Sequence, residues 1–356
     1  MFDYKVAVLG PGSTGCFLAG ILDSAGCNVT LIGREERCFC LQQRLPLTID
    51  SFTGYQHSFT PKLMVSPANQ GTLKPDHESK HKVVERSNEV FDLIFVMVKA
   101  HQLKDVIPAL AQLSHLKTEI VLMQNGIGSD AIIRDKLPGL VLLKGITQFN
   151  VVNHKDGIYH KATEGDFWIE SSQMTSELSA LKYQDTKLVS VDDIESIING
   201  KLLLNLNNAL NAIVDIPIKQ QLQQRRLRKI LAAVMEEWLL ICRKNNVSVG
   251  QLTSVSPSIV PKILRLPNFL FNLVAQKMIA IDPSARSSMW DDIESNRKTE
   301  VEYINHAVVK LGEKAKLTAP VNSYIVDCIH QLEQKGRNGV DTSTMLKQLA
   351  TLSGTN

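Results

Sequence analysis

Apolar residues follow two rhythms along this chain of 356 residues, and the change of rhythm divides it. Val6, Ala7, Val8 and Leu9 form a short unbroken apolar run that stops at Gly10; a helix-like stretch and a second β-like run over residues 28–32 follow. Residues 91–98 are almost continuously apolar, as strands buried on both faces of a parallel sheet are. A helix-like segment at 102–113, a strand at 119–123, a turn at 124–128, a helix at 130–136 and a strand at 140–144 come next. Strands alternating with helices predict a doubly wound parallel sheet with right-handed crossovers. Residues 47–63 hold β-prone stretches around Gly54, while the polar residues 70–86 are expected to loop over the surface. Between 145 and 190 the strands shorten, as at 157–160 and 166–169, and predict an antiparallel extension closing the first domain. From Asp192 onward apolar residues recur every three or four positions, predicting helices over 194–214, 222–243, 257–281, 297–311, 321–334 and 343–352.

The first apolar run opens a recognisable turn, Gly10-Pro11-Gly12-Ser13-Thr14-Gly15. Strand, G-x-G-x-x-G, helix and strand in that order are the context in which such glycines bind a dinucleotide. Gly10 permits the tight turn, Gly12 leaves room for a pyrophosphate, and Gly15 lets the helix lie close. The helix then aims unpaired N–H groups at the phosphates from Ser13 and Thr14 onward. Sites for NAD carry an acidic side chain at the end of the second strand, whereas this chain has Gly33 followed by Arg34. A guanidinium pairs well with a 2′-phosphate, so NADP(H) is the cofactor expected. Glu35 and Glu36 folding back toward the ribose, or Arg34 serving only as a solvated charge, are the competing readings. The predicted architecture is therefore α/β: a Rossmann-type doubly wound parallel sheet domain over 1–190, then a mostly α-helical C-terminal domain over 191–356.

Composition narrows the partners. The length allows two cores. A formal net charge of +3 is too small and scattered for nucleic acid. The densest basic cluster, around Arg225 to Lys229, fits the wet face of a helix. The cysteines at 16, 27, 38, 40, 242 and 328 show no paired metal-binding spacing, so reduced thiols and no metal are expected. No apolar run reaches the length of a membrane span, and the first strand leaves little space for a leader, so the cytoplasm is the expected compartment.

Ligands of open α/β sheets lie beyond the carboxyl ends of strands, which singles out Lys99, Gln102 and Asn125. Asn125-Gly126 also reads as a plain turn. In the second domain, Lys201, Asn205 and Asn208 fall at intervals of four and three, on one face of one predicted helix. They await polar partners or line a solvated face. The stretch 286–305 mixes hydroxyls and carboxylates too densely for amphipathic coding: a serine there could bind a carboxylate, and a glutamate could orient a lysine. Its residue chemistry alone does not choose among the acids.

In order along the chain, GPGSTG, VMVKAHQ (96–102), QNGIG (124–128), KLLLNLNNALNA (201–212), SSMWDDIESNRKTEVEYIN (287–305) and APVN (319–322) resemble the ketopantoate reductase family. The resemblance implies a two-domain enzyme that reduces ketopantoate to pantoate with NADPH, and it leaves room for a homodimer. It implies that Lys201 is the general acid at the substrate carbonyl and that Glu300 holds that lysine. Ser288 looks like a contact to the substrate carboxylate. Asn125, Asn205 and Asn208 look like further substrate contacts, Asn125 and Glu300 also facing the cofactor, and Lys99 and Gln102 look like part of the cofactor wall. Two positions depart from the pattern: Ala209 stands where many relatives have a second asparagine, and His306 where many have glycine. The competing functions are a reductase of another branched 2-oxo acid and a non-catalytic NADP-binding sensor, which would need neither Lys201 nor Glu300.

Overall fold

The computed structural model describes residues 3–67, 89–154, 157–275 and 282–355, so the predicted loop at 70–86 lies outside it. The chain divides into two compact units, Met1–Gln124 with Ser129–Ile194, and Asn125–Gly128 with Glu195–Asn356. The division falls at 194/195 rather than 190/191, and four residues from the middle of the first segment cluster with the second unit.

Strands of the first unit are β1 (Val6–Leu9), β2 (Val29–Gly33), β3 (Leu47–Ser51), β4 (Gln56–Phe59), β5 (Lys62–Val65), β6 (Leu93–Val96), β7 (Glu119–Leu122), β8 (Val141–Thr147), β9 (Val151–His154), β10 (Ile158–Lys161), β11 (Phe167–Glu170) and β12 (Leu188–Val191). The main sheet has the order β12-β11-β8-β7-β6-β1-β2-β5. From β5 to β8 every neighbour is parallel, with Val6 opposite both Val29 and Leu93. The chain leaves β1 toward β2 and later returns to β6 on the other side of β1. That reversal makes the carboxyl ends of β1 and β6 the place where such sheets receive ligands.

One expectation needs correction. β11 does extend the main sheet by pairing antiparallel with β8, but β10 does not. It pairs in parallel with β3 inside a separate four-stranded sheet, β4-β3-β10-β9. The reason lies in helix α1 (Ser13–Ser24), in which Gly15 through Leu22 are all buried. A helix apolar on every side needs cover on its outer face as well as its inner one. A Cβ on Gly20 would stand 2.6 Å from Ile49 and 2.9 Å from Phe59, so the second sheet supplies that cover.

The second unit is helical around a core that includes Leu203, Leu210, Trp238 and Ile325. The predicted helix 194–214 is two helices, α6 (Ile194–Asn205) and α7 (Asn207–Val214), separated at Leu206. The segment 222–243 is likewise divided at Gln224, whose extended backbone separates Ile218–Gln223 from Arg225–Lys244. Within 257–281, Leu266-Pro267 ends one helix, Val260–Arg265, and opens another, Asn268–Val274; residues 276–281 lie outside the described set. The segment 297–311 becomes helical only at Asn305, after left-handed Asn296 (φ +49°) and a 3₁₀ turn at Val301–Tyr303. The helix Ser288–Glu294 was not foreseen.

The basic cluster also differs from expectation, because Arg228 is buried. Its guanidinium donates to the carbonyls of Leu222, Leu264 and Leu266 and to Asn268 Oδ1, and it lies 4.1 Å from the Phe271 ring. A buried arginine so saturated holds helix ends together.

Candidate functional site

At the end of β1, Gly10 has φ +106°, and a Cβ there would lie 2.8 Å from Val98 Cγ1. A Cβ on Gly15 would collide with the Gly10 carbonyl, while a Cβ on Gly12 would meet nothing within 4 Å. The three glycines thus serve a turn, an open approach and a close packing, in that order. Gly12 is also the N-cap of α1 and brings no side-chain cap, so the first turn through Ser13 and Thr14 keeps its N–H groups for a ligand. Across the turn, Gln124 Nε2 donates to the carbonyls of Val96 (2.8 Å) and Val98 (3.0 Å), fixing the segment that presses on Gly10. Lys99 and Gln102 follow it, half-buried, and the Lys99 N–H donates to Gln102 Oε1 at 3.3 Å.

Arg34 is exposed as the N-cap of α2 (Glu35–Gln42). Glu35 and Glu36 occupy the first turn of that helix, where negative charge favours the dipole. A further residue, unmarked in the sequence, contributes here. Arg37 Nε donates to the Pro11 carbonyl at 2.8 Å and Arg37 Nη2 to Tyr159 Oη at 3.2 Å, pinning the glycine turn from behind. Its spacing resembled an ordinary solvated helix position.

The second unit brings together Lys201, Glu300 and Asn125. Lys201 sits in the C-terminal half of α6, one turn before its end, and Glu300 precedes the 3₁₀ turn Val301–Tyr303. Asn125 Nδ2 donates to Glu300 Oε2 at 3.1 Å. The Ile127 N–H donates to the Tyr303 carbonyl at 3.0 Å, so the 125–128 loop is docked on the same 3₁₀ turn. Burial pushes the Lys201 ammonium down to about 8, and the negative charge of Glu300 opposes part of that push. Glu300 is the acid of 286–305 that accepts from Asn125 and whose charge acts on Lys201. Two residues on, Glu302 receives His306 Nδ1 at 2.5 Å and His330 Nε2 at 3.0 Å, which gives His306 a partner on the turn that carries Glu300.

Around Lys201 the helix is held by backbone contacts. Trp238 Nε1 donates to the Asn199 carbonyl at 3.2 Å, and Asn199 Nδ2 donates to the Ser248 carbonyl at 3.0 Å. A Cβ on Gly200 would run into the Gly250 carbonyl. Gly200→Ala is therefore expected to destabilise the helical unit by about 2 kcal/mol. A melting curve unchanged by that substitution would show that the segment at Gly250 yields.

Asn205 closes α6, and Asn208 lies beyond the break at Leu206, so the two asparagines do not share one straight helix face with Lys201. Asn208 contributes its carbonyl, which accepts the Ser287 hydroxyl at 2.9 Å. Of the serine pair, Ser287 is buried and caps the helix Ser288–Glu294 by accepting the Trp290 N–H, whereas Ser288 is exposed. Asn211, missed in the sequence, is the buried residue here: its Oδ1 accepts the Ser287 N–H at 2.9 Å, and its Nδ2 donates to Ile216 O and Gln221 Oε1. The late APVN motif proves structural, since the Val321 and Asn322 N–H groups donate to Glu237. Among the described residues no metal-binding cluster occurs, and no helix is long and apolar enough to cross a membrane.

Two family descriptions match, "Ketopantoate reductase PanE/ApbA" over residues 6–173 and "Ketopantoate reductase PanE/ApbA C terminal" over residues 193–333. A 2-dehydropantoate 2-reductase of Halobacterium salinarum is 22% identical over 339 residues, covering 93% of this chain and all of that protein. A solved PanE/ApbA family ketopantoate reductase from Ralstonia eutropha superposes with a TM-score of 0.74 at 19% identity, covering 94% of this chain and 99% of that one. D-mandelate dehydrogenase, solved with NADH and anilino(oxo)acetate, shares the fold with a TM-score of 0.69 at 20% identity, covering 93% and 98%. With both halves matched in order over most of its length, the chain belongs to the ketopantoate reductase family.

Proposed function

We propose that the chain is an NADPH-dependent reductase converting 2-dehydropantoate (ketopantoate) to pantoate, on the route to pantothenate and coenzyme A. The observation that carries this reading is the grouping of Lys201, Glu300 and Asn125, on a chain whose family is described by that reaction. NADP(H) fits the first unit: Gly12 is open to an approaching pyrophosphate, no carboxylate ends β2, and Arg34 is exposed to meet a 2′-phosphate. Gly10, Gly12, Ser13, Thr14 and Gly15 would hold its phosphates, with Lys99 and Gln102 along its wall.

When bound, the nicotinamide supplies a hydride to the keto carbon. Lys201 donates a proton to the carbonyl oxygen as negative charge grows there, and an acid whose pKa lies near neutrality transfers it readily. Glu300 keeps the lysine charged and in place, and the Asn125 amide orients Glu300. Asn125, Asn205 and Asn208 are the proposed amide contacts of the substrate, and the exposed Ser288 hydroxyl is the proposed contact to its carboxylate.

A different 2-oxo acid is the second reading, favoured by one observation: Ala209 is fully buried in the helical core, so the place of the relatives' second asparagine offers no polar group. Loss of NADPH absorbance with ketopantoate, against a panel of 2-oxo acids and an NADH control, decides between them. Fast turnover of ketopantoate is expected, and turnover of only another acid would move the substrate assignment. In the same assay Arg34→Ala should raise the KM for NADPH by about tenfold or more and leave that for NADH almost unchanged. Equal losses with both cofactors would remove Arg34 from 2′-phosphate recognition.

The reading goes with a cytoplasmic setting, where six free cysteines stay reduced. We also propose a homodimer, for which Phe269, Leu273 and Val274 on the helix Asn268–Val274 offer an exposed apolar face. Sedimentation velocity reads it directly.

A further inference from the structure

We propose that Pro11, between the first two glycines of the turn, fixes cofactor choice by filling the space that a side chain at position 33 would need. The inference rests on the NADP(H) reading above and concerns why the chain cannot be the NAD type. In an NAD site, the residue ending the second strand carries the carboxylate that accepts the ribose hydroxyl. Gly33 ends β2 here, and its backbone is that of an ordinary strand, outside the left-handed region. Nothing in the main chain demands glycine.

The demand comes from across the turn. A Cβ on Gly33 would stand 2.6 Å from Pro11 Cγ and 2.8 Å from Pro11 Cδ, and its next neighbour, Cys38 Sγ, is 3.6 Å away. A proline ring cannot swing aside as the end of a flexible side chain does. Pro11 is also buried, and its carbonyl is anchored twice, by Arg37 Nε at 2.8 Å and by Cys16 Sγ at 3.5 Å. Arg37 is in turn tied to Tyr159 on β10. The ring is therefore a fixed wall, β2 ends without an acid, and the exposed Arg34 is the first charged group after it.

Four proteins test this: the wild type, Gly33→Asp, Pro11→Ala and the double variant, each titrated with NADPH and with NADH and each melted. Gly33→Asp alone should lower the melting temperature and gain nothing with NADH. The double variant should regain most of the lost melting temperature and move the NADH to NADPH affinity ratio about tenfold toward NADH, since the new carboxylate both accepts from the ribose and repels a 2′-phosphate. Pro11→Ala controls for removal of the ring. A Gly33→Asp protein that melts like the wild type, or a double variant no more stable than the single one, would overturn the role of Pro11. A stable double variant with unchanged cofactor preference would overturn it as well. Should the wild type bind both cofactors equally, the NADP(H) reading fails on its own, while the melting rescue still decides whether Pro11 excludes a side chain at 33.

Discussion

Lys201→Ala is expected to lower kcat about a thousandfold while leaving the affinity for NADPH within about twofold of the wild type. The substitution deletes the proposed proton donor but none of the glycine-turn groups that would hold the cofactor. An unchanged kcat would remove Lys201 from the chemistry. The pH dependence follows from the depressed ionisation of this lysine, near 8 against an ordinary 10.5. The acid must be protonated to work, so reduction should run at a constant rate below about pH 8 and fall about tenfold per unit above it. Glu300 raises the lysine while burial lowers it, so Glu300→Gln should move that midpoint to lower pH. A midpoint that stays fixed would mean that Glu300 does not act through Lys201.

Gly126→Ala is expected to be the most damaging single-methyl change near this group. Gly126 has φ +85°, and a Cβ there would drive into the Tyr303 carbonyl, which already accepts the Ile127 N–H. The left-handed backbone costs about 1 kcal/mol for alanine. Forcing the loop off the 3₁₀ turn adds about 2 kcal/mol more. The same displacement would pull Asn125 from Glu300, so kcat should fall along with the melting temperature. Gly128→Ala is the matched control: its φ is +82°, but a Cβ there meets nothing within 4 Å, so only the backbone penalty remains. Equal melting temperatures for the two variants would show that close approach to Tyr303 is unimportant.

Legibility in the sequence followed the range of the interactions involved. The glycine turn was readable because its work is local: each glycine answers a need within a few residues of itself. The parallel strands were readable because burial on both faces leaves an unbroken apolar run. β10 was misplaced because a short strand records that it pairs, but not with which partner. The break at Leu206 left no signal, since Leu206 keeps right-handed angles (φ −56°, ψ −23°) and belongs to the apolar rhythm on both sides. Residue chemistry alone does not separate Glu300 from its neighbouring acids; the family resemblance does, and the contact that physically sets it apart comes from Asn125, 175 positions away. Arg37, Arg228 and Asn211 were invisible for the same reason: each does its work through carbonyls that are remote or lie past a turn.

The grouping of Asn125–Gly128 with a unit that otherwise begins at Glu195 bears on how this chain can be taken apart. A gene cut near 194 yields a helical fragment that keeps Lys201 and Glu300 but loses the amide that steadies Glu300. Exchanging halves between relatives would likewise pair a loop from one lineage with a 3₁₀ turn from another, where a mismatch at Gly126 or Tyr303 falls on the proposed proton donor's own partner. The loop Asn125–Gly128 and the 3₁₀ turn Val301–Tyr303 are thus expected to tolerate exchange only as a pair, far apart as they lie along the chain.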